Sequence, residues 1–331
     1  MDSFWVPCLH SREHARSTSL TACSRRREHG TLARLWRRGW LLGVLLAWMS
    51  TTGASCPRIV QQYTQPIPRA LPPSASLTQI IDVVNDNSAR VQSFSTTRAT
   101  ITTRGFPSLN ANIAMARPRS FRITGEKFGP QLDVGSNDEL LWFWVAQAQP
   151  PALFYCRHDQ FAASAARQIF PVDPEWLIEA FGIVSFDRSQ PIEGPSPVGN
   201  GRVEIRSRSG PPGRETSRIT IVDDSRGVVL EQYVYDARGV LLASAVMSKH
   251  ALDPASGAKL PRHVHIKWPL AKFEVSIEMA DVHVNQLPAD SREVFAKPSY
   301  SGYNEIDLAH PGLQLAPSPD GQYQAAPQTR Y

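Results

Sequence analysis

Outside three short helical stretches and the two ends, the chain is written in runs that alternate apolar and polar residues. A period of two is the signature of half-buried β-strands, and it limits what such a chain can fold into. Arg202-Val203-Glu204-Ile205-Arg206 alternates, as does His263-Val264-His265-Ile266-Lys267-Trp268. The turn sequences "DDSRG" at 223–227 and "DARG" at 236–239 separate successive apolar runs and read as hairpins. About ten strands joined mainly by short turns predict a mostly β (α+β) domain around a large antiparallel sheet. A sheet that size must close, split or curl.

The longest strand, from Lys272 to Val284, carries its own bend. Phe273, Val275, Ile277 and Met279 share one face, and then Ala280, Val282 and Val284 take over. A one-residue slip of phase is the mark of a β-bulge, which twists and coils a sheet. "LLWFWV", Leu140 to Val145, breaks the alternation by being apolar at every position, so both faces of that strand should be covered. Either it is packed by a helix on one side and by tails or loops on the other, or one face lines an apolar cavity.

Three helices are predicted. Leu77, Ile80, Ile81, Val84 and Val91 recur at helical spacing behind Ser74 or Ser76 as a cap, and Asn85-Asp86-Asn87 weakens the last turn. A second, Ala-rich run covers Phe161–Gln168. A third begins at Asp173-Pro174, a capping residue followed by proline at the first helical position, and ends at Gly182.

The N-terminal stretch "RLWRRGWLLGVLLAWMSTTGASCPR" (34–58) has the parts of an export signal. Arg34, Arg37 and Arg38 precede an apolar core from Leu41 to Met49, too short to span a bilayer but long enough for a signal peptide. Residues 1–33 are an Arg-rich preface that such a signal does not need, and a start site set too far upstream accounts for them. Ala54-Ser55-Cys56 matches a bacterial lipobox, with Gly53 where leucine is usual, and so implies that Cys56 is lipidated. Ordinary cleavage after Ala54, with Thr52 in the −3 place, is the alternative.

Charge follows the same division. The chain has 35 Lys and Arg against 30 Asp and Glu, and residues 1–55 hold eight of the former and three of the latter. Eight from 35 and three from 30 leave 27 of each, so the remainder is formally neutral. A nucleic-acid binder carries its positive charge on the folded domain, and this domain gives no such signal. Of the four cysteines, Cys8 and Cys23 fall in the leader; Cys56 and Cys156 remain and can pair in an oxidising compartment if Cys56 takes no lipid.

The expected organisation is an N-terminal extension at 1–33, a signal peptide at 34–55 and a Pro-rich tether at 56–76. A β-domain at 77–298 and a disordered Pro/Gln/Ala-rich tail at 299–331 follow. His263 and His265 share one strand face, but two histidines opposite an apolar row read as its solvent side, and no metal is expected. Asp223 and Asp224 sit in a turn as solvated turn formers. No nucleophile elbow, Walker loop or H-E-x-x-H occurs, so neither enzymatic activity nor a cofactor is expected.

The order of elements resembles a known family. The opening helix leads into "SFSTTRATITT" (93–103), then "ARPRSFRITGE" (116–126) and "DVGSNDELLWFWV" (133–145), and the domain ends with "LPRHVHIKWPLAKFEVSIEMADVHVNQLPADSREVF" (260–295). Together these resemble the LolA/LolB-type carriers of outer-membrane lipoproteins and their relatives, the lipoprotein-sorting proteins. The resemblance implies an incomplete, strongly curved antiparallel barrel with helices as a lid, whose apolar hollow holds acyl chains of lipoproteins or lipids. With the export signal and the lipobox, this implies a bacterial cell-envelope location facing the periplasm, with attachment to a membrane through lipid on Cys56. A non-catalytic scaffold or protein-binding module on the same fold is the alternative. Bulky strand positions then become candidates for the wall of the hollow: Phe121, Ile123, Trp142, Trp144, Tyr233, Tyr235 and Trp268.

Overall fold

Helix α1 (Leu77–Ala89) starts at a complete capping box. The Gln79 N–H donates to Ser76 Oγ, and the Ser76 N–H donates to the Gln79 side-chain oxygen. Ile80, Ile81 and Val84 form its buried face. The two asparagines that should weaken its last turn instead fasten it. Asn85 exchanges a pair of hydrogen bonds with the backbone of Phe186, and Asn87 does the same with the backbone of Lys259.

The computed structural model describes residues 66–148, 150–210, 215–288, 290–310, 315–317 and 323–325. The expected leader, Cys56 and the first half of the expected tether lie outside them. The tether's last part is not free of the domain: Leu71 is buried, and the N–H groups of Ala70 and Leu71 both donate to Ser225 O.

After α1 come β1 (Ser93–Thr103), β2 (Leu109–Ala116), β3 (Ser120–Glu126), β4 (Pro130–Ser136), β5 (Leu140–Val145) and β6 (Ala152–Arg157). Three one-turn helices follow, α2 (His158–Phe161), α3 (Ala166–Ile169) and α4 (Trp176–Glu179). Next are β7 (Ile192–Gly199), β8 (Arg202–Ser209), β9 (Thr216–Asp223), β10 (Val229–Tyr235) and β11 (Leu241–Ser248). The short pair β12 (Ala251–Leu252) and β13 (Lys259–Leu260) precedes β14 (His263–Trp268), β15 (Phe273–Met279) and β16 (His283–Val284). The chain ends with β17 (Asn304–Asp307), β18 (Leu315–Pro317) and β19 (Tyr323–Ala325).

Fifteen of these strands make one sheet in the order β17-β6-β5-β4-β3-β2-β1-β15-β14-β11-β10-β9-β8-β7, with β16 also on β1. Two antiparallel meanders thus join where β1 meets β15, and the outermost strands β7 and β17 are not paired with each other. The sheet is open, as the expectation of an incomplete barrel requires. The expected slip of phase is present: Met279, Val282 and Val284 are buried, while Ala280 is exposed, and β1 answers it with a register shift between Thr96 and Ala99. The outermost strand β7 carries Pro195 and Pro197 and two further register shifts against β8.

Two expectations need correction. The helices at 161–168 and 173–182 are single turns separated by irregular backbone. Successive N–H groups of Trp176, Leu177 and Ile178 donate to carbonyls three residues back, the tighter 3₁₀ pattern that does not propagate far. Asp173 does not cap that turn; its carboxylate pairs with Arg167. Gly182, at φ 84°, does end it. The packed unit also runs beyond 298. Asn304–Asp307 pairs in parallel with β6, Leu308 is buried in the main core, and Tyr300 and Tyr303 pack on the outer face of the sheet.

Candidate functional site

The sheet's inner face is apolar from β6 across to β11, because every second residue of each strand points the same way. Phe154, Leu141, Phe121, Ile113, Ile101, Ile277, Ile266 and Ala245, one from each of these strands except β4, all belong to a single buried cluster, against which Val134 of β4 packs. Over them lie α1 and the segment from His158 to Phe186, hereafter the lid. Phe161, Trp176, Leu177, Ile178 and Phe181 of the lid are buried in that same cluster. Ring contacts tie the two layers: Phe181 to Phe94 at 5.6 Å, Phe170 to Phe143 at 5.8 Å and Trp176 to Trp268 at 6.4 Å between centroids.

The seven candidate wall residues divide between the two faces. Phe121 and Ile123 on β3 face inward beside Met115 and Ile113, and Trp268 at the end of β14 faces the lid. Trp142 and Trp144 alternate with the inward Leu141 and Phe143, so they point outward, into a separate cluster with Leu153, Tyr300 and Tyr303. Tyr233 and Tyr235 alternate with the buried Gln232 and Val234 and also face outward. Tyr233 donates to Glu231, which in turn pairs with Arg202. Burial, with Glu231 alongside, pushes the Tyr233 phenol up to about 12. Four of the seven therefore do not line the inner face. "LLWFWV" is covered on one side by the lid and on the other by the C-terminal segment, the simpler of the two explanations for its composition.

The inner face also has a polar end that alternation alone misreads. Along β9 the apolar Ile219 and Ile221 would be expected inside, yet the register sets Arg218, Thr220 and Val222 in line with Ser207, Ile205 and Val203 on the inner face. Glu179 of the lid makes this possible. Arg218 Nη1 donates to both of its carboxylate oxygens, at 2.8 and 2.6 Å, and Gln232 Nε2 reaches the same carboxylate at 3.4 Å. A paired charge is tolerated where a lone one is not.

Beside this pair a cleft of about 510 Å³ opens between lid and sheet, with Arg119, His158, Phe161, Trp176 and Arg218 among its walls. Its charged walls are already paired within the protein, Arg119 with Glu175 at 3.1 Å and Asp173 with Arg167. Where the sequence led us to expect an apolar hollow, the side chains of Trp176, Leu177, Ile178 and Phe181 occupy the space under the lid. His263 and His265 lie on the outer face, each with its Nδ1 at hydrogen-bond distance from a serine hydroxyl, Ser248 and Ser276. Cys156 is buried as a free thiol.

No family model matches this sequence, and no curated protein matches it. Among solved structures the chain is similar to an outer-membrane lipoprotein-sorting protein domain from Vibrio parahaemolyticus. That match has 10% identity, a TM-score of 0.46, and covers 65% of this chain and 97% of that one. It is similar also to a LolA superfamily protein from Nitrosomonas europaea, at 11% identity and a TM-score of 0.42 over 68% of this chain and 99% of that one. A DUF1329 family protein from Desulfovibrio piger matches at 11% identity and a TM-score of 0.43 over 66% and 98%. All three likenesses lie below a TM-score of 0.5, and the functional reading rests on the inner face and its lid.

Proposed function

We propose that this is an exported envelope protein that takes acyl chains, of a lipoprotein or a lipid, between the inner face of its sheet and a lid that swings aside. Lipid on Cys56 would hold it to a membrane. The observation that carries the reading is the nature of the cover. Beside α1, an extensive apolar face is closed by three single helical turns, the kind of weakly cooperative segment that opens locally, instead of by a second sheet. The energies are matched. Leu177, Ile178 and Phe181 gain roughly 1.5–3 kcal/mol each by burial, and an acyl chain gains about 0.8 kcal/mol per CH₂, so about six to eleven methylenes offset the displacement of those three side chains. The Arg218–Glu179 pair is a largely buried ionic tie between lid and sheet, so loosening it should ease the lifting of the lid.

The test is detergent-free purification followed by lipid extraction and mass spectrometry, with titration of a long-chain fatty acid read by tryptophan emission. Trp176 and Trp268 face each other across the closing gap and report its opening. Bound acyl lipid, and faster uptake in Glu179→Gln, are expected. Intact mass of the mature N-terminus reads whether Cys56 is acylated. The filled interior favours a second reading, a non-catalytic envelope scaffold whose lid stays shut. Absence of lipid and of any emission change in both proteins would establish that reading instead.

A further inference from the structure

Of the eight large apolar side chains that are exposed among the described residues, six lie at one end of the sheet. The registers place them there. Thr103 pairs with Val275, Asn110 with Glu126, Trp268 with Phe273 and Tyr235 with Leu241, so the turns β1–β2, β3–β4, β14–β15 and β10–β11 all project from the same edge. Phe128 is 102% exposed, Leu270 61%, Phe106 48% and Phe273 45%. Val240 is exposed on the fourth turn, and Val145 ends β5 at the same edge. At the opposite end the turns Asn137–Glu139 and Asp224–Gly227 hold no exposed large apolar side chain, and Val198, beside the β7–β8 turn, is exposed there.

Each of the four turns also carries one basic residue: Arg104, Lys127, Lys272 and Arg238. The side chains of Arg104, Lys127 and Lys272 have no ion-pair partner among the described residues, and Arg238 pairs with Asp236 of its own turn. The carboxylates flanking these four turns are Glu126, Asp236 and Glu274. Asp236 is held by the N–H groups of Arg238 and Val240, and Glu274 lies 3.5 Å from Lys267. The balance of free charge is positive. Phe128 and Lys272 moreover sit at φ 56° and 51°, a left-handed backbone that bulky side chains seldom adopt.

We infer that these four hairpin turns form a docking edge for the surface of an anionic lipid bilayer. Neighbouring hairpins are two strands apart, about 10 Å, so the four turns span about 30 Å. Isolated apolar tips at that spacing do not make the continuous patch that a protein partner needs. Each can enter a headgroup layer independently while its basic neighbour meets the phosphates, the combination that holds amphipathic elements at interfaces. A lysine or arginine near an anionic leaflet strengthens partitioning about fivefold. The edge goes beyond acyl binding under the lid and stands without it, and it needs no lipid on Cys56.

The test uses the full chain carrying Cys56→Ser, mixed with phosphatidylglycerol vesicles, with amide hydrogen exchange read over milliseconds to seconds. Peptides covering 104–108, 127–129 and 269–273 should gain protection on the vesicles, and less so at high salt, where charge is screened. The triple variant Phe106→Ser, Phe128→Ser, Leu270→Ser alters only exposed positions and should lower flotation with the vesicles at least tenfold. Exchange at the three turns that is equal with and without vesicles would overturn the inference, even if the N-terminal segment holds the chain to them. The turns would then belong to a protein partner.

Discussion

The indole of Trp144 and the ring of Tyr300 stack with centroids 4.1 Å apart and 14° between their planes. This contact seats the C-terminal segment on the outer face of the sheet. Tyr303 meets the same indole edge-on at 5.2 Å, and the Tyr300 hydroxyl donates to the fully buried carboxylate of Asp133 at 2.8 Å. Arg122 and the Trp142 Nε1–H supply that carboxylate with its other donors. Tyr300→Phe keeps the stack and removes one hydrogen bond to a charged group, an expected loss of about 1.5–3 kcal/mol in urea unfolding. Tyr300→Ala removes the ring as well and should cost more, about 3–4 kcal/mol.

Alkaline stability tests the same phenol and one other. Burial, then the hydrogen bond and charge of Asp133, push Tyr300 well up, and burial with Glu231 pushes Tyr233 up to about 12. In the unfolded chain both ionise near 10, so the folded state holds more protons above that pH. Their stabilisation is complete below about pH 10 and falls as pH rises above it, through about 12 for Tyr233 and further still for Tyr300. Urea midpoints followed from pH 8 to 11.5 should fall steeply above 10, and the double variant Tyr233→Phe, Tyr300→Phe should flatten that fall.

On the acid side the buried imidazole of His250 offers a test. Burial pulls its pKa down from 6.5 to about 4, with Arg226 adding to the effect and the bond to Val229 O and the Asp223 charge opposing it. A depressed histidine supports the fold when neutral, so its contribution is complete above pH 6.5 and is lost as pH falls toward 4. The loss is on the order of 2–3 kcal/mol. His250→Gln should give a stability profile that is flatter between pH 6.5 and 4 by about that amount.

Gly135 tests the close packing beneath the tyrosine stack. Its ordinary backbone accepts any residue, but a Cβ there would stand 2.2 Å from Cζ2 of the Trp142 indole. Gly135→Ala must push that ring off its bond to Asp133. Overpacking of this kind costs about 1–3 kcal/mol, and the tryptophan emission should shift to the red as well.

Much of the architecture was readable from alternation alone. The phase change after Met279, the cap at Ser76 and the double covering of Leu140–Val145 each follow from periods and side-chain types that act locally. Contacts made across long sequence separations were not readable. Asn85 and Asn87 look like helix breakers until Phe186 and Lys259 arrive to bond them. Arg218 looks like a surface residue until Glu179 neutralises it. The candidate wall residues failed for a different reason. Trp142, Trp144, Tyr233 and Tyr235 are large and lie on strands, but size does not say which face a residue takes. Only their alternation with Leu141, Phe143, Gln232 and Val234 does. Phe106, Phe128 and Leu270 carried a legible signal, an apolar residue inside a Gly- or Pro-containing turn, which reading for strands passes over.

An open ribbon of strands has two selvedges, and each is a template on which a neighbouring molecule can add. Pro195 and Pro197 remove two amide donors from β7, and its two register shifts break the spacing of the rest. At the opposite border β17 offers only four residues, one of them Glu305 clasped by Lys297. Both borders of the fifteen-stranded sheet thus carry features that disfavour fibril-like growth from copy to copy.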